Sequence, residues 1–182
     1  MINQGTGTGR EPGMLTGMFT DKESSESAYK SLRDRGYSDD EINVLMSDET
    51  RNKYYGDGNI TDSELGSKAA EGTGIGGAIG GTLGAVIAGI AAIGTNLVLP
   101  GLGLVVWGPL AAALAGAGAG GLTGGLVGAL IGAGIPEDRA KEYEEGIKSG
   151  GTVFGVNPRS DEDAEYFEND WKTNHRGQNI YR

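Results

Sequence analysis

The stretch that decides the fold is long, uncharged and rich in glycine. It includes GTGIGGAIGGTLG at 72–84 and GAGAGGLTGGLVGALIG at 116–132. No ionisable side chain occurs from 72 to 136, and 21 of these 65 residues are glycine. All 15 basic and 25 acidic side chains lie outside it, on both sides. The chain therefore reads as two charged regions separated by an apolar block, 72–135.

Composition narrows the function classes. The net charge of −10 and the absence of cysteine exclude a strongly basic nucleic-acid binder, a disulfide scaffold and a cysteine-ligated metal site. Two GxGxxG matches, at 72–77 and 116–121, are expected by chance in a segment that is one-third glycine, and neither follows a predicted strand. For His175, the only histidine, we expect a solvated or helix-capping role. We therefore predict a protein that is not an enzyme, with no catalytic, cofactor or metal residues, no nucleic-acid partner and no small-molecule substrate.

The first charged region carries the signals of a β-α-β unit over 13–48. Residues 13–19 read as a short strand, and Thr20 or Asp21 is placed to cap a helix that ends at Gly36. The alternation of side chains in 42–47 predicts a half-buried second strand.

The last charged region, 136–182, repeats the pattern. Pro136 opens a helix that runs to about Lys148, residues 152–156 read as a strand, and 179–181 read as an edge strand. Between the two strands, Ser160 is placed to cap a helix with an apolar stripe made of Ala164, Phe167 and Trp171.

Each charged half is too small to bury a useful core alone, so the two halves are expected to pair. The sequence predicts an α+β fold in which split β-α-β halves form a ferredoxin-like four-stranded sheet with helices on one face. The apolar block is then an inserted glycine-rich α-helical hairpin. Residues 1–12 form a polar tail, and 49–71 a polar linker that ends in a helix start, marked by the capping box at 61–64.

Two rows of glycines spaced by four run through the apolar block. Positions four apart lie on one face of a helix, and a glycine face lets another helix backbone approach closely. We predict that these rows mediate oligomerisation. Their members are Gly72, Gly76, Gly80 and Gly84, and Gly116, Gly120, Gly124, Gly128 and Gly132, the second row being extended backwards by Ala112.

Glycine destabilises a water-exposed helix, so these helices are expected to be covered. Helices over 72–95 and 107–135 are long enough to cross a bilayer. Their connection, 96–109, is itself apolar, which favours a tip buried in the membrane or packed against tips from other copies. Trp107 is a candidate interface anchor, or a packing residue if the tip is buried. A core within one chain is less favoured, because 182 residues offer little structure to cover the block.

Four segments resemble the bacterial general stress protein family, which combines a heat-induced-stress-protein-like N-terminal domain with a glycine-rich hydrophobic hairpin. They are GMFTDKESSESAYKSLRDRGYSDDEINVLMSD (17–48), GTGIGGAIGGTLG (72–84), the stretch 99–156 and the closing helix, so the resemblance covers roughly 13–182. GIPEDRAKEYEEGIKSGG (134–151) is its most specific part. The resemblance implies a stress-induced, non-secreted bacterial protein, with no settled activity, cofactor or catalytic residues.

We therefore expect a stress-response protein that self-assembles through the glycine-rich hairpin, with acidic soluble domains outside. The assembly is either associated with membrane lipid or made of protein alone, as a cage, tube or filament. It is expected in the cytoplasm, or at the inner face of the cytoplasmic membrane. Two alternatives remain open: a membrane pore or transport-like component, and a regulatory module whose ferredoxin-like sheet binds a ligand or partner.

Overall fold

A computed structural model describes residues 13–55, 97–99, 103–116 and 125–182. Within them, strands and helices follow each other as β1 (Leu15–Phe19), α1 (Lys22–Asp34), β2 (Ile42–Ser47), α2 (Asp48–Tyr55), β3 (Leu97–Leu99), β4 (Leu104–Trp107), α3 (Pro109–Gly116), α4 (Gly125–Gly132), α5 (Glu137–Lys148), β5 (Thr152–Val156), α6 (Asp161–Thr173) and β6 (Gln178–Tyr181).

The elements of the charged regions lie close to where local signals predict them. The Asp21 carboxylate accepts a hydrogen bond from the Ser24 N–H at 2.9 Å and caps α1. The Ser160 hydroxyl accepts one from the Asp163 N–H at 3.1 Å and caps α6. Gly36 follows the end of α1 with a φ of +86°. These contacts supply acceptors for N–H groups that a helix start leaves unpaired.

The strands form an antiparallel sheet in the order β3-β4-β2-β5-β1-β6. β5 is central: Val153 pairs with Met18 of β1 on one side and with Leu45 of β2 on the other. β1 and β2 are therefore separated by β5. The prediction of an α+β fold is confirmed.

Helices cover both faces of this sheet, so the prediction of helices on one face is wrong. α1, α2 and α6 pack on the first face, where the Phe19 and Trp171 rings meet edge to face at 5.4 Å. α3, α4 and α5 pack on the second face, where Leu45, Val106 and Val153 are buried. β2 is correspondingly buried on both sides rather than half-buried, because its alternate residues enter two different cores.

The apolar connection 96–109 is not the tip of a helical hairpin. β3 and β4 pair with each other across it, and β4 pairs with β2 through Val44–Trp107 and Met46–Val105. The strands β3 and β4 therefore extend the sheet of their own chain. The sheet edge at β2 offers unpaired backbone groups that a short apolar strand can satisfy.

The single helix predicted over 107–135 is also wrong. Trp107 ends β4, and Gly108 turns the chain with a φ of +85°. A Cβ at that position would lie 2.3 Å from the Ile42 carbonyl oxygen, so only glycine fits. Gly125, at the start of α4, has a φ of +69°, which interrupts a right-handed helix.

The polar linker predicted over 49–71 begins as a helix, since α2 continues directly from β2 to Tyr55. The predicted tail at 1–12, the capping box at 61–64 and the helix at 72–95 lie outside the described residues. None of the helices in the described ranges combines the length and apolar character needed to cross a membrane.

Candidate functional site

The structure places part of the second glycine row and none of the first. Gly116 is the last residue of α3, whereas Gly128 and Gly132 belong to α4. Ala112, the backward extension of the row, is exposed on α3. The remaining members lie outside the described residues: Gly72, Gly76, Gly80, Gly84, Gly120 and Gly124. Because the chain bends at Gly125, the second row does not follow one continuous helix.

One side of α4 is fixed against its own chain. Leu126, Ala129 and Leu130 are buried in the second core, in which α5 is the helix next to α4. The helix ends in a paired cap: the Ile135 N–H donates to the Leu130 carbonyl oxygen at 3.0 Å, and the Gly134 N–H to that of Ile131 at 2.9 Å. This double cap supplies donors for carbonyl groups that the end of a helix leaves unpaired.

The opposite side of α4 has no polar side chain. Ile131 is 42% exposed, Gly132 is exposed and Gly128 is half-buried. We call these three residues the outer face of α4. Val127, which is half-buried, packs against the second core. The two glycines, four residues apart, leave a shallow groove beside the larger Ile131, a surface on which another helix can pack closely.

A buried asparagine connects the sheet to the helices of the second face. Asn43 of β2 is 2% exposed. Its Oδ1 accepts a hydrogen bond from the Leu110 N–H at 2.6 Å, and its Nδ2 donates to the Gly155 carbonyl oxygen at 3.1 Å. Asn43 thus supplies the N-terminal cap of α3 from a neighbouring strand. In the sequence, Asn43 reads as an outward-facing residue of a half-buried strand.

Trp107 lies in β4 and is 1% exposed. Its side chain belongs to the first core, with Tyr55, Met46 and Val105. A side chain so enclosed has no surface to offer a lipid interface, so this position does not fit an interface anchor, and Trp107 is a packing residue of its own chain.

Three polar side chains, one from α1 and two from the C-terminal part of the sequence, are linked by successive hydrogen bonds. Ser27 Oγ lies 2.7 Å from His175 Nδ1, and His175 Nε2 lies 2.9 Å from Asp170 Oδ2. The side chain of His175 is 12% exposed, so it is enclosed rather than solvated. The sequence does not reveal this cluster, because 148 positions separate Ser27 from His175.

The order Ser–His–Asp resembles that of a hydrolytic nucleophile. Ser27, however, lies in the interior of α1, where backbone N–H groups are used by the helix itself. Within the described residues the cluster thus lacks the paired N–H donors that stabilise an acyl-transfer intermediate. What the arrangement does is join α1 to the end of α6.

A second cluster consists of ion pairs between the N-terminal and C-terminal parts of the chain. Arg159 Nη2 lies 2.7 Å from Glu41 Oε2, and Arg35 Nε lies 2.6 Å from Asp163 Oδ1. The Ser38 N–H, then the Arg159 guanidinium and the Ser38 hydroxyl, lower the pKa of Glu41 to about 2. The hydrogen bond from Arg35 holds the pKa of Asp163 below its ordinary value. Both carboxylates are therefore ionised at neutral pH and serve as structural contacts.

Over the part of the chain that the structure describes, no group of three or more acidic or histidine side chains is arranged to hold a metal ion. Comparison of the chain with protein-family models, curated proteins and solved structures finds no match. The outer face of α4 is therefore the candidate site that bears on the predicted self-association.

Proposed function

We propose that the protein is a non-enzymatic stress protein that self-assembles, with the outer face of α4 as one contact between copies. The observation that carries this proposal is that α4 is apolar throughout, including the side on which Ile131 is 42% exposed. A helix that is apolar all round is ordinarily covered on every side.

The outer face of α4 is too small to hold copies together alone, so a second contact surface is needed. Fully burying an isoleucine side chain contributes about 1.5–3 kcal/mol, so covering the exposed part of Ile131 contributes about 1 kcal/mol per copy. That is too little to hold copies together at micromolar concentration. We therefore propose that the contact continues along the uncharged, glycine-rich sequence of the apolar block, including the rows at 72–84 and 116–132.

The charged helices suit the outside of such an assembly. α1, α5 and α6 carry most of the described acidic side chains, and the whole chain has a net charge of −10. We further propose that β2, β5, β1 and β6, which lie in that order, form a ferredoxin-like sheet to which β3 and β4 are an extension. The proposed location is the cytoplasm or the inner face of its membrane.

The two alternatives have less support. A pore requires polar groups on a shared lumen, and the apolar block offers few: Thr73, Thr82, Thr95, Asn96 and Thr123. A ligand-binding sheet requires an open face, and helices cover both faces of the described sheet.

Matched substitutions at two equally exposed side chains test the proposal. Ile131 and Tyr166 are both 42% exposed, but only Ile131 lies on the outer face of α4. We expect Ile131→Ser, and independently Gly128→Leu, to reduce the mean assembly mass in multi-angle light scattering by at least about half, because each removes a contact between copies. Tyr166→Ser should leave the mass unchanged. The proposal is wrong if all three variants match the parent while circular dichroism reports an unchanged fold.

A further inference from the structure

The two parts of the chain interleave in the sheet. The N-terminal unit, residues 13–55, contributes β1 and β2, and the C-terminal unit, 97–182, contributes the other strands described. β5 lies between β1 and β2, while β4 and β6 flank them on the outside. Every described pairing of β1 and β2 is thus made to a strand of the C-terminal unit.

Side-chain contacts in the core and at the surface also run between the two units. Phe19 of the N-terminal unit packs on Phe154 and Trp171 of the C-terminal unit. The hydrogen bonds of Asn43 to Leu110 and Gly155, and that of Ser27 to His175, also run between the units. The N-terminal unit therefore fits a surface that any copy of the C-terminal unit presents.

The only covalent connection between the units is the segment 56–96, which has 41 residues. Even as a continuous helix, a segment of this length spans about 60 Å, whereas a folded unit of this size is about 35 Å across. The connection therefore does not dictate which C-terminal unit receives a given N-terminal unit.

We propose that copies which fold close together within the assembly exchange their N-terminal units, so that β1 and β2 of one chain complete the sheet of a second chain. The contacts between the described residues of the two units are the same in both arrangements, and the covalent connection favours the closed one. A connection of this kind gives each C-terminal unit an effective concentration of its own N-terminal unit in the millimolar range. Pairing with the N-terminal unit of another copy therefore competes once the copies reach a similar concentration. The proposal thus rests on the proposed self-assembly, which supplies that concentration.

Which C-terminal unit an N-terminal unit pairs with is determined while the chain folds. To move afterwards, an N-terminal unit has to break its pairing with β4, β5 and β6 and expose both cores. Native chains diluted after folding should therefore keep the arrangement in which they folded, which makes the two arrangements separable by experiment.

The chain has no cysteine, so pairs of introduced cysteines can report directly whether the two units in contact belong to one chain or to two. Glu23 and Arg176 lie on different units, are exposed and approach to 3.5 Å. Glu137 and Lys141 are one turn apart on α5, are exposed and approach to 2.6 Å. The full-length variants Glu23→Cys with Arg176→Cys, and Glu137→Cys with Lys141→Cys, provide the test and its control. Each is refolded from urea at about 10 µM and about 1 mM, diluted to about 1 µM, treated with a short bismaleimide and run on a denaturing gel.

We expect the Glu23/Arg176 variant to give covalent dimers whose share rises at least several-fold between the two refolding concentrations, while the Glu137/Lys141 variant stays monomeric. Light scattering before dilution reports assembly separately. If assembly forms but the Glu23/Arg176 variant gives only monomers, the exchange is overturned and the proposed function stands. If covalent dimers form while light scattering finds no particle larger than a dimer, the exchange stands and the proposed larger assembly through α4 fails, and if neither forms, both fail.

Discussion

At the scale of single residues, Asn43 shows how one buried amide couples the sheet to a helix. We expect Asn43→Ala to lower the free energy of unfolding by about 1–3 kcal/mol, because the buried Leu110 N–H loses its acceptor. Urea denaturation followed by tryptophan fluorescence measures the change. Asn169→Ala is the control, since Asn169 is exposed on α6 and makes only a 3.4 Å contact to Thr173. Equal stability of the two variants would contradict the role given to Asn43.

At the scale of elements, α5 lies against β1 with no space for an added methyl group at Gly146. A Cβ there would lie 1.7 Å from Met18 Sδ. Helix propensity alone would favour Gly146→Ala by up to about 1 kcal/mol. We expect the opposite sign, a loss of about 1–3 kcal/mol, because the methyl group overpacks the second core.

A double-mutant cycle with Met18→Ala separates the two effects. Shortening Met18 makes room for the new methyl group, so the double variant should be more stable than the sum of the single changes by at least about 0.5 kcal/mol. Chemical denaturation of all four proteins measures this coupling. Additive changes would mean that α5 and β1 are not in the described contact.

The elements that the sequence predicts well are those with local signals. Asp21 and Ser160 cap helices through their own neighbours, and the stripe Ala164, Phe167 and Trp171 faces a core as its spacing indicates. The strand at 104–107 is not predictable in this way, because an apolar run without alternation takes its conformation from β2, its partner in the sheet.

The candidate site is predicted less completely than the fold. Gly128 is half-buried and Gly132 exposed on α4, the positive φ at Gly125 prevents one continuous helix through Gly116 and these two residues, and nothing in a glycine-rich run distinguishes the glycine that takes a positive φ. The cluster of Ser27, His175 and Asp170 depends on how α1 and α6 pack, which is a property of the tertiary structure alone.

At the scale of the whole molecule, acid should loosen the contact between the two units. The pKa of Glu41 is about 2 in the folded chain, against an ordinary value of 4.5. A carboxyl group whose pKa is lower in the folded chain than its ordinary value stabilises the fold at pH values above that ordinary value. This stabilisation is lost as the pH falls from about 4.5 towards 2. We expect Arg159→Gln to lower the urea midpoint at pH 7 by a small amount, since the pair is partly exposed, and to lower it less at pH 2.

Urea midpoints at both pH values measure this, with Lys141→Gln as the control. Lys141 makes an exposed ion pair within α5 alone, so its loss should change the urea midpoint less than Arg159→Gln does at pH 7. A gap between Arg159→Gln and the parent that does not narrow in acid would contradict the contribution assigned to Glu41.

The central position of β5 has a consequence for synthesis on the ribosome. β1 and β2 leave the exit tunnel first, yet the strand that lies between them follows β2 by roughly 100 residues. At about 5–20 residues per second, the nascent chain waits some 5–20 s with β1 unpaired and with one edge of β2 open. A cell that makes this protein has to shield those edges during that interval, and a chain cut short before β5 keeps the pairing of β2 with β4 but lacks the strand that joins β1 to the sheet.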